Sequence, residues 1–252
     1  MKIIISPAKK MVVNLDDFDI LDMPQYLDET KQILVELQQL DKSAAQKLWQ
    51  TSDKLTNESY QILKQTNLTE RLTPAIIAFS GIQYQYMAPG LFTAPALDYV
   101  QQNLRILSGF YGILRPFDGI TPYRLEMGSR MKLRGYKNLY SFWGSKLYDA
   151  LVSDQEPIIN LASKEYAKAI TPYLKSDQQF IDIVFGHLVD GKLKTRATFA
   201  KMARGEMVRF AAERNLTNPI QLKEFDHLDY KFDERRSTDM QYIFIKDEKK
   251  SN

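Results

Sequence analysis

Apolar positions alternate along this chain between short unbroken runs and stripes at helical spacing, which predicts strands and helices in alternation. Lys2 to Ile5 reads as a short buried strand, and Ser6-Pro7 ends it in a loop that carries Lys9 and Lys10. Asp22 as N-cap and Pro24 in the first turn predict a helix to about Leu40, with Leu27, Ile33, Leu34, Leu37 and Leu40 as its buried stripe. Helical pieces follow at 44–50 and 53–65, and after Pro74 the run Ala75 to Phe79 is short enough for a strand. Thr93 and Pro95 open a helix to about Asn103 that leads into a strand at 105–107.

Tyr140 to Leu151 fits one helix, Pro157 to Leu161 a buried strand, and Ser163 to Ile170 a helix capped by its serine. The segments 180–188 and 192–195 flank Asp190-Gly191, a strong hairpin signal. A long helix then runs to about Arg214, strands are expected at 228–232 and 242–246, and the last six residues are polar and expected to fray. No repeat and no Pro/Gly/Ser-rich linker divides the chain, so residues 1–252 are expected to form a single domain. The expected fold is mixed α/β (α+β), a mixed sheet surrounded by helices.

Composition narrows the chemistry. The chain has no cysteine, which excludes thiol peroxidases, iron-sulfur clusters and thiolate zinc sites. Its two histidines, His187 and His227, are in no metal-binding spacing, and neither a metal nor a cofactor is expected. No apolar run reaches the roughly 18 residues of a membrane span, and no cleavable signal pattern opens the chain, so a cytoplasmic location without membrane contact is expected.

Net charge is only +3, yet it is unevenly spread. Residues 1–41 carry eight acidic and four basic side chains, 105–146 carry eight basic and two acidic, and 192–214 carry seven basic and two acidic. If the two basic stretches lie together they make a phosphate-attracting surface; if apart, they are solvated faces balancing acidic ones.

Several strings bear a family resemblance: SPAKKM (6–11), FSGIQY (79–84), LRILSGFYGILRPFDGITPYRLEMG (104–128), LYSFWGSKL (139–147), NLASKEY (160–166) and ARGEMVRF (203–210). They span nearly the whole chain and resemble the YaaA family of peroxide-stress proteins. The resemblance implies a mixed α/β fold, a role in limiting damage from unincorporated iron, and binding of double-stranded DNA in a basic cleft with a helix-hairpin-helix element. With no cysteine and two histidines, the chain is poorly equipped to destroy peroxide or hold iron itself.

The candidate DNA contacts follow from these strings. Gly109 and Gly112 resemble the glycines of a helix-hairpin-helix turn, where backbone N–H groups approach a phosphate, although two residues separate them instead of one. The alternative is that they only end a strand and turn the chain. Arg115, Arg124, Arg130, Lys132 and Arg134 are nearby phosphate contacts, with Tyr111 and Tyr123 as stacking partners; Arg115 before Pro116 is alternatively a loop brace.

On the helix 196–214, Phe199, Ala203, Met207 and Phe210 share one face, while Lys201, Arg204 and Arg209 form a basic outer arc with Gly205. Gly205 costs the helix about 1 kcal/mol relative to alanine, which favours a functional arc over a merely solvated one.

A second constellation suits a pocket: Lys9 after the first strand, and Asn160, Lys164 and Glu165 where a strand runs into a helix, with Glu126 or Tyr166 as acid or base. Trp143 and Lys146, a helical turn apart, are candidates to flank it or to serve the core. The leading expectation is a monomeric DNA-binding protein. The alternative is an enzyme acting on a nucleotide or nucleobase, or another phosphate-bearing small molecule, in a polar pocket. A protein-binding scaffold would instead show an exposed apolar patch and no cleft.

Overall fold

The computed structural model describes residues 1–152 and 156–247. Apolar runs at the centre and shorter, more polar strands at the margins build a mixed sheet: β1 (Lys2–Ile5), β2 (Leu104–Ser108), β3 (Gly112–Leu114), β4 (Ile158–Leu161), β5 (Phe180–Val189), β6 (Lys192–Lys194), β7 (Tyr230–Phe232) and β8 (Gln241–Lys246). Their order is β7-β8-β5-β4-β1-β2-β3, with β6 paired to β5. The central strands β2, β1, β4, β5 and β8 run parallel, and β3, β6 and β7 are antiparallel additions. Ile3, Ile4 and Ile5 are buried, as a parallel strand covered on both faces requires.

The longer helices are α1 (Leu27–Gln39), α2 (Lys42–Trp49), α3 (Asp53–Gln65), α4 (Ile82–Met87), α5 (Ala94–Asn103), α6 (Leu139–Trp143), α7 (Lys146–Leu151) and α8 (Ala197–Glu213). On α1 the expected stripe is buried at Ile33, Leu34 and Leu37 and partly buried at Leu27 and Leu40. At Asp190-Gly191 both residues have positive φ, 50° and 73°, the left-handed pair of a tight hairpin turn.

Four local expectations are corrected. The first helix starts at Leu27, not near Asp22, because Asp22 is held by Arg115 at 2.8 Å and its carbonyl accepts the Gly119 N–H. Ala75–Ala78 is one helical turn, not a strand; the Ala75 and Ile76 amides donate to the Asp118 and Pro116 carbonyls. The helix expected at 140–151 is broken into α6 and α7 at Gly144, where φ is +52°. The helix expected at 163–170 is a single turn, Lys164–Ala167, and Ser163 precedes it without a side-chain cap bond. The fraying expected of the last six residues falls largely on 248–252, outside the described residues.

The connection from β1 leads to β2 on one side, whereas that from β4 leads to β5 on the other. Adjacent parallel strands whose connections diverge leave a crevice at their carboxyl ends, where ligands bind in open α/β sheets. Helix α8 packs over this region against α4, α5 and β5.

Candidate functional site

A cleft of about 530 Å³ opens at the carboxyl ends of β1 and β4. The loop after β1 supplies Ser6 to Lys10, and the segment after β4 supplies Ser163, Glu165 and Tyr166. Ser80 to Tyr84, Tyr123 to Glu126, and Lys201 and Arg204 of α8 complete the walls. Backbone ties fix these segments: the Tyr84 hydroxyl donates to the Ser6 carbonyl at 3.0 Å, and the Ser163 amide to Ser6 Oγ at 2.8 Å. Glu165 accepts the Gly128 amide at 2.7 Å, and its own carbonyl accepts the Tyr140 hydroxyl at 3.0 Å.

The lining contains five cationic side chains, Lys9, Lys10, Arg124, Lys201 and Arg204, against Glu126 and Glu165. Lys9 pairs with Glu126 at 2.9 Å; the other four cations form no ion pair among the described residues. Gln83 Nε2, Arg124 Nε and Arg204 Nε are buried donors with no acceptor among the described residues. Such donors carry a desolvation cost of about 1–3 kcal/mol each, more when charged, so the cleft favours an acceptor-rich anion. Burial lowers the pKa of Arg204, partly offset by Asp182, yet a guanidinium stays charged at neutral pH.

Three tyrosines contribute to the walls, with the Tyr84 hydroxyl donating to the Ser6 carbonyl and the Tyr123 hydroxyl bonded to Ser108 Oγ. Burial, the dominant cause, pushes Tyr84, Tyr123 and Tyr166 well above the usual phenol value. At neutral pH they are protonated and can donate hydrogen bonds. Among the described residues no group of three His, Asp or Glu side chains could hold a metal ion.

The fates of the sequence candidates differ. Arg124, Lys201 and Arg204 meet Lys9 and Glu165 in one cleft, so residues proposed for DNA and residues proposed for a pocket share a site. Asn160 and Lys164 are not in the lining; Asn160 binds Asp182 at 2.6 Å and the Ala162 amide at 2.9 Å. Trp143 and Lys146 do not flank the cleft: Trp143 is fully buried and donates to the Gly109 carbonyl, and Lys146 pairs with Glu29.

Gly109 and Gly112 are corrected: they lie in the β2–β3 hairpin, buried, with no helix on either side. A Cβ at Gly109 would meet the Leu125–Met127 backbone at 2.8–2.9 Å, and one at Gly112, φ +77°, would meet Trp143 at 2.8 Å. Close packing accounts for both glycines, and the helices expected on either side are strands. Arg115 braces a loop, bound to Asp22 and Asp118.

Arg209 pairs with Glu213, and Arg204 turns into the cleft, so α8 lacks the uniform basic outer arc. Gly205 is explained by packing: a methyl there would strike the Gln83 carbonyl on α4. Arg130, Lys132 and Arg134 lie exposed on the segment that leaves the cleft at Gly128. A close helix pair does occur elsewhere, α2 and α3, joined through Gln50 in left-handed conformation.

Ser6, Gln83 and Tyr84 were not singled out from the sequence. Their signal lay in the strings themselves, since five of the six that carry the family resemblance supply lining residues.

No helix among the described residues is long and apolar enough to cross a membrane. Residues 1–236 match the family profile described as "Peroxide stress protein YaaA". The chain is 60% identical over 245 residues to a "UPF0246 protein" of Lactiplantibacillus plantarum, covering 97% of this chain and 99% of the relative. It is 57% identical to one of Lacticaseibacillus paracasei, with the same coverage, and 46% identical over 244 residues to one of Agathobacter rectalis, covering 97% and 98%.

Proposed function

This chain belongs to the family of the peroxide stress protein YaaA, and on that premise we propose that it binds double-stranded DNA through the cationic cleft. It takes backbone phosphates with little base specificity and limits iron-linked peroxide damage through that binding, since it has no cysteine with which to destroy peroxide. The observation that carries this reading is the convergence of Lys10, Arg124, Lys201 and Arg204 on one cleft, with no ion pair to any of them among the described residues and with buried donors left open. Lys10 and Lys201, both exposed, are placed to meet a duplex phosphate at the rim, and Arg204 draws the negative charge inward.

The test is fluorescence anisotropy of a short random duplex at several salt concentrations, with and without a competing nucleotide. Each neutralised phosphate contributes about −0.9 to the slope of log K against log salt, so contacts from these four cations give a slope of about −3 to −4. Absence of binding at low salt refutes the DNA reading. It would leave the second reading, an enzyme acting on a nucleotide, which the enclosed position of Arg204 and Gln83 favours because a rigid duplex reaches a buried floor less readily than a single nucleotide does.

A further inference from the structure

We infer that a second pocket beside the cleft receives the base of a nucleotide whose phosphate rests on the ridge between the two, so that together they form one nucleotide site. The inference rests on the reading of the cleft as a phosphate-binding site. The second pocket, of about 470 Å³, lies between α1, α3 and the end of α2, with Leu37, Trp49, Leu55, Ile62, Leu63 and Phe110 in its walls. It shares Lys9, Lys10, Tyr123 and Arg124 with the cleft, so a cationic ridge separates the two spaces and faces both.

Three features select the occupant. Leu55 and Ile62 stand 44% and 45% exposed, an apolar surface that gains from being covered. Trp49 is 6% exposed, and its buried indole N–H has no acceptor among the described residues, which favours an occupant that carries one. Glu58 also lines the pocket and disfavours an anion inside it while accepting hydrogen bonds from an amine. An aliphatic acid held on the ridge by its carboxylate brings only a hydrocarbon tail to Trp49 and Glu58, with neither acceptor nor donor. A flat heteroaromatic base with ring acceptors and an exocyclic amine meets all three, and its phosphate finds Lys10 and Arg124 on the ridge.

The experiment titrates the intact protein with adenosine monophosphate and with ribose 5-phosphate, following tryptophan fluorescence and calorimetry in parallel. Adenosine monophosphate is expected to bind about tenfold tighter than ribose 5-phosphate. It is also expected to change the emission, and that change is lost in Trp49→Phe, which retains Trp143. Ile62→Ser, a neutral change at an exposed position, removes the same advantage without altering ribose 5-phosphate affinity, and keeps the test decisive should Trp49→Phe fail to fold.

Equal affinity for the two ligands overturns the base pocket and leaves the cleft reading intact. Tighter binding of adenosine monophosphate that neither variant alters places the base elsewhere and also overturns it. Binding of neither ligand overturns the base pocket, and the duplex titration, which decides the cleft reading by itself, tells the two failures apart.

Discussion

Replacing Gly205 with alanine separates helix propensity from packing. In an exposed helix interior the change stabilises by about 1 kcal/mol. Here the new methyl would overlap the Gln83 carbonyl oxygen and sit 2.9 Å from Gln83 C and 3.0 Å from Met87 N, all backbone atoms of α4. Backbone cannot rotate away as a side chain can, so α8 and α4 must part by about 1 Å to restore van der Waals separation. Overpacking of this kind costs about 1–3 kcal/mol, and three contacts with rigid atoms place the substitution at the upper end. After the helix gain is subtracted, Gly205→Ala loses about 2 kcal/mol, or roughly 4–8 °C in Tm for a chain of this length.

The loss has a functional counterpart. Helix α8 carries Lys201 and Arg204, and α4 carries Gln83 and Tyr84, so parting the helices widens the cleft. Urea unfolding of the two proteins at one pH, with m-values compared, reads the stability term. A variant as stable as the parent, or more stable, would refute the packing account and return Gly205 to an unexplained helix glycine.

Other outcomes follow from the same geometry. Lys201→Glu should weaken duplex binding by about tenfold at low salt, whereas Arg209→Glu, at a position already engaged by Glu213, should leave it within about twofold in the same anisotropy assay. Asp118 is raised from 3.8 to about 6, with burial as the largest cause opposing the Arg115 hydrogen bonds. Its folded pKa exceeds its unfolded one, so its stabilising contribution is full below pH ~4 and lost as pH rises through about 6, by at most about 3 kcal/mol. The stability advantage of the parent over Asp118→Asn should therefore shrink between those pH values in urea titrations; an advantage that grows contradicts the assignment. Gly112→Ala combines a φ of +77° with contacts at 2.8 Å to Trp143 and 2.9 Å to Leu147, and should cost about 3 kcal/mol, seen as a lower Tm.

Elements whose pattern is local were legible in the chain alone. The apolar run of β1, the stripe of α1 and the Asp190-Gly191 turn formed where periodicity and turn chemistry place them, because neighbours in the chain settle those choices. The family was equally legible, since the strings that carry it span the chain, and the composition excluded thiol chemistry outright. Elements that depend on distant partners were not legible: Asp22 was drawn from helix capping by Arg115, and Gly109, Gly112 and Gly205 are small because a remote backbone or ring lies against them.

The site divided in the same way. Arg124, Lys201, Arg204, Lys9 and Glu165 were visible as chemistry, but sequence reasoning assigned them to two separate sites. Only the order of the strands, with β1 beside β4 and their connections diverging, brings residues nearly 200 positions apart into one cleft. Sequence periodicity records which face of an element is buried; it carries no record of which element lies next to it, and that adjacency made the cleft.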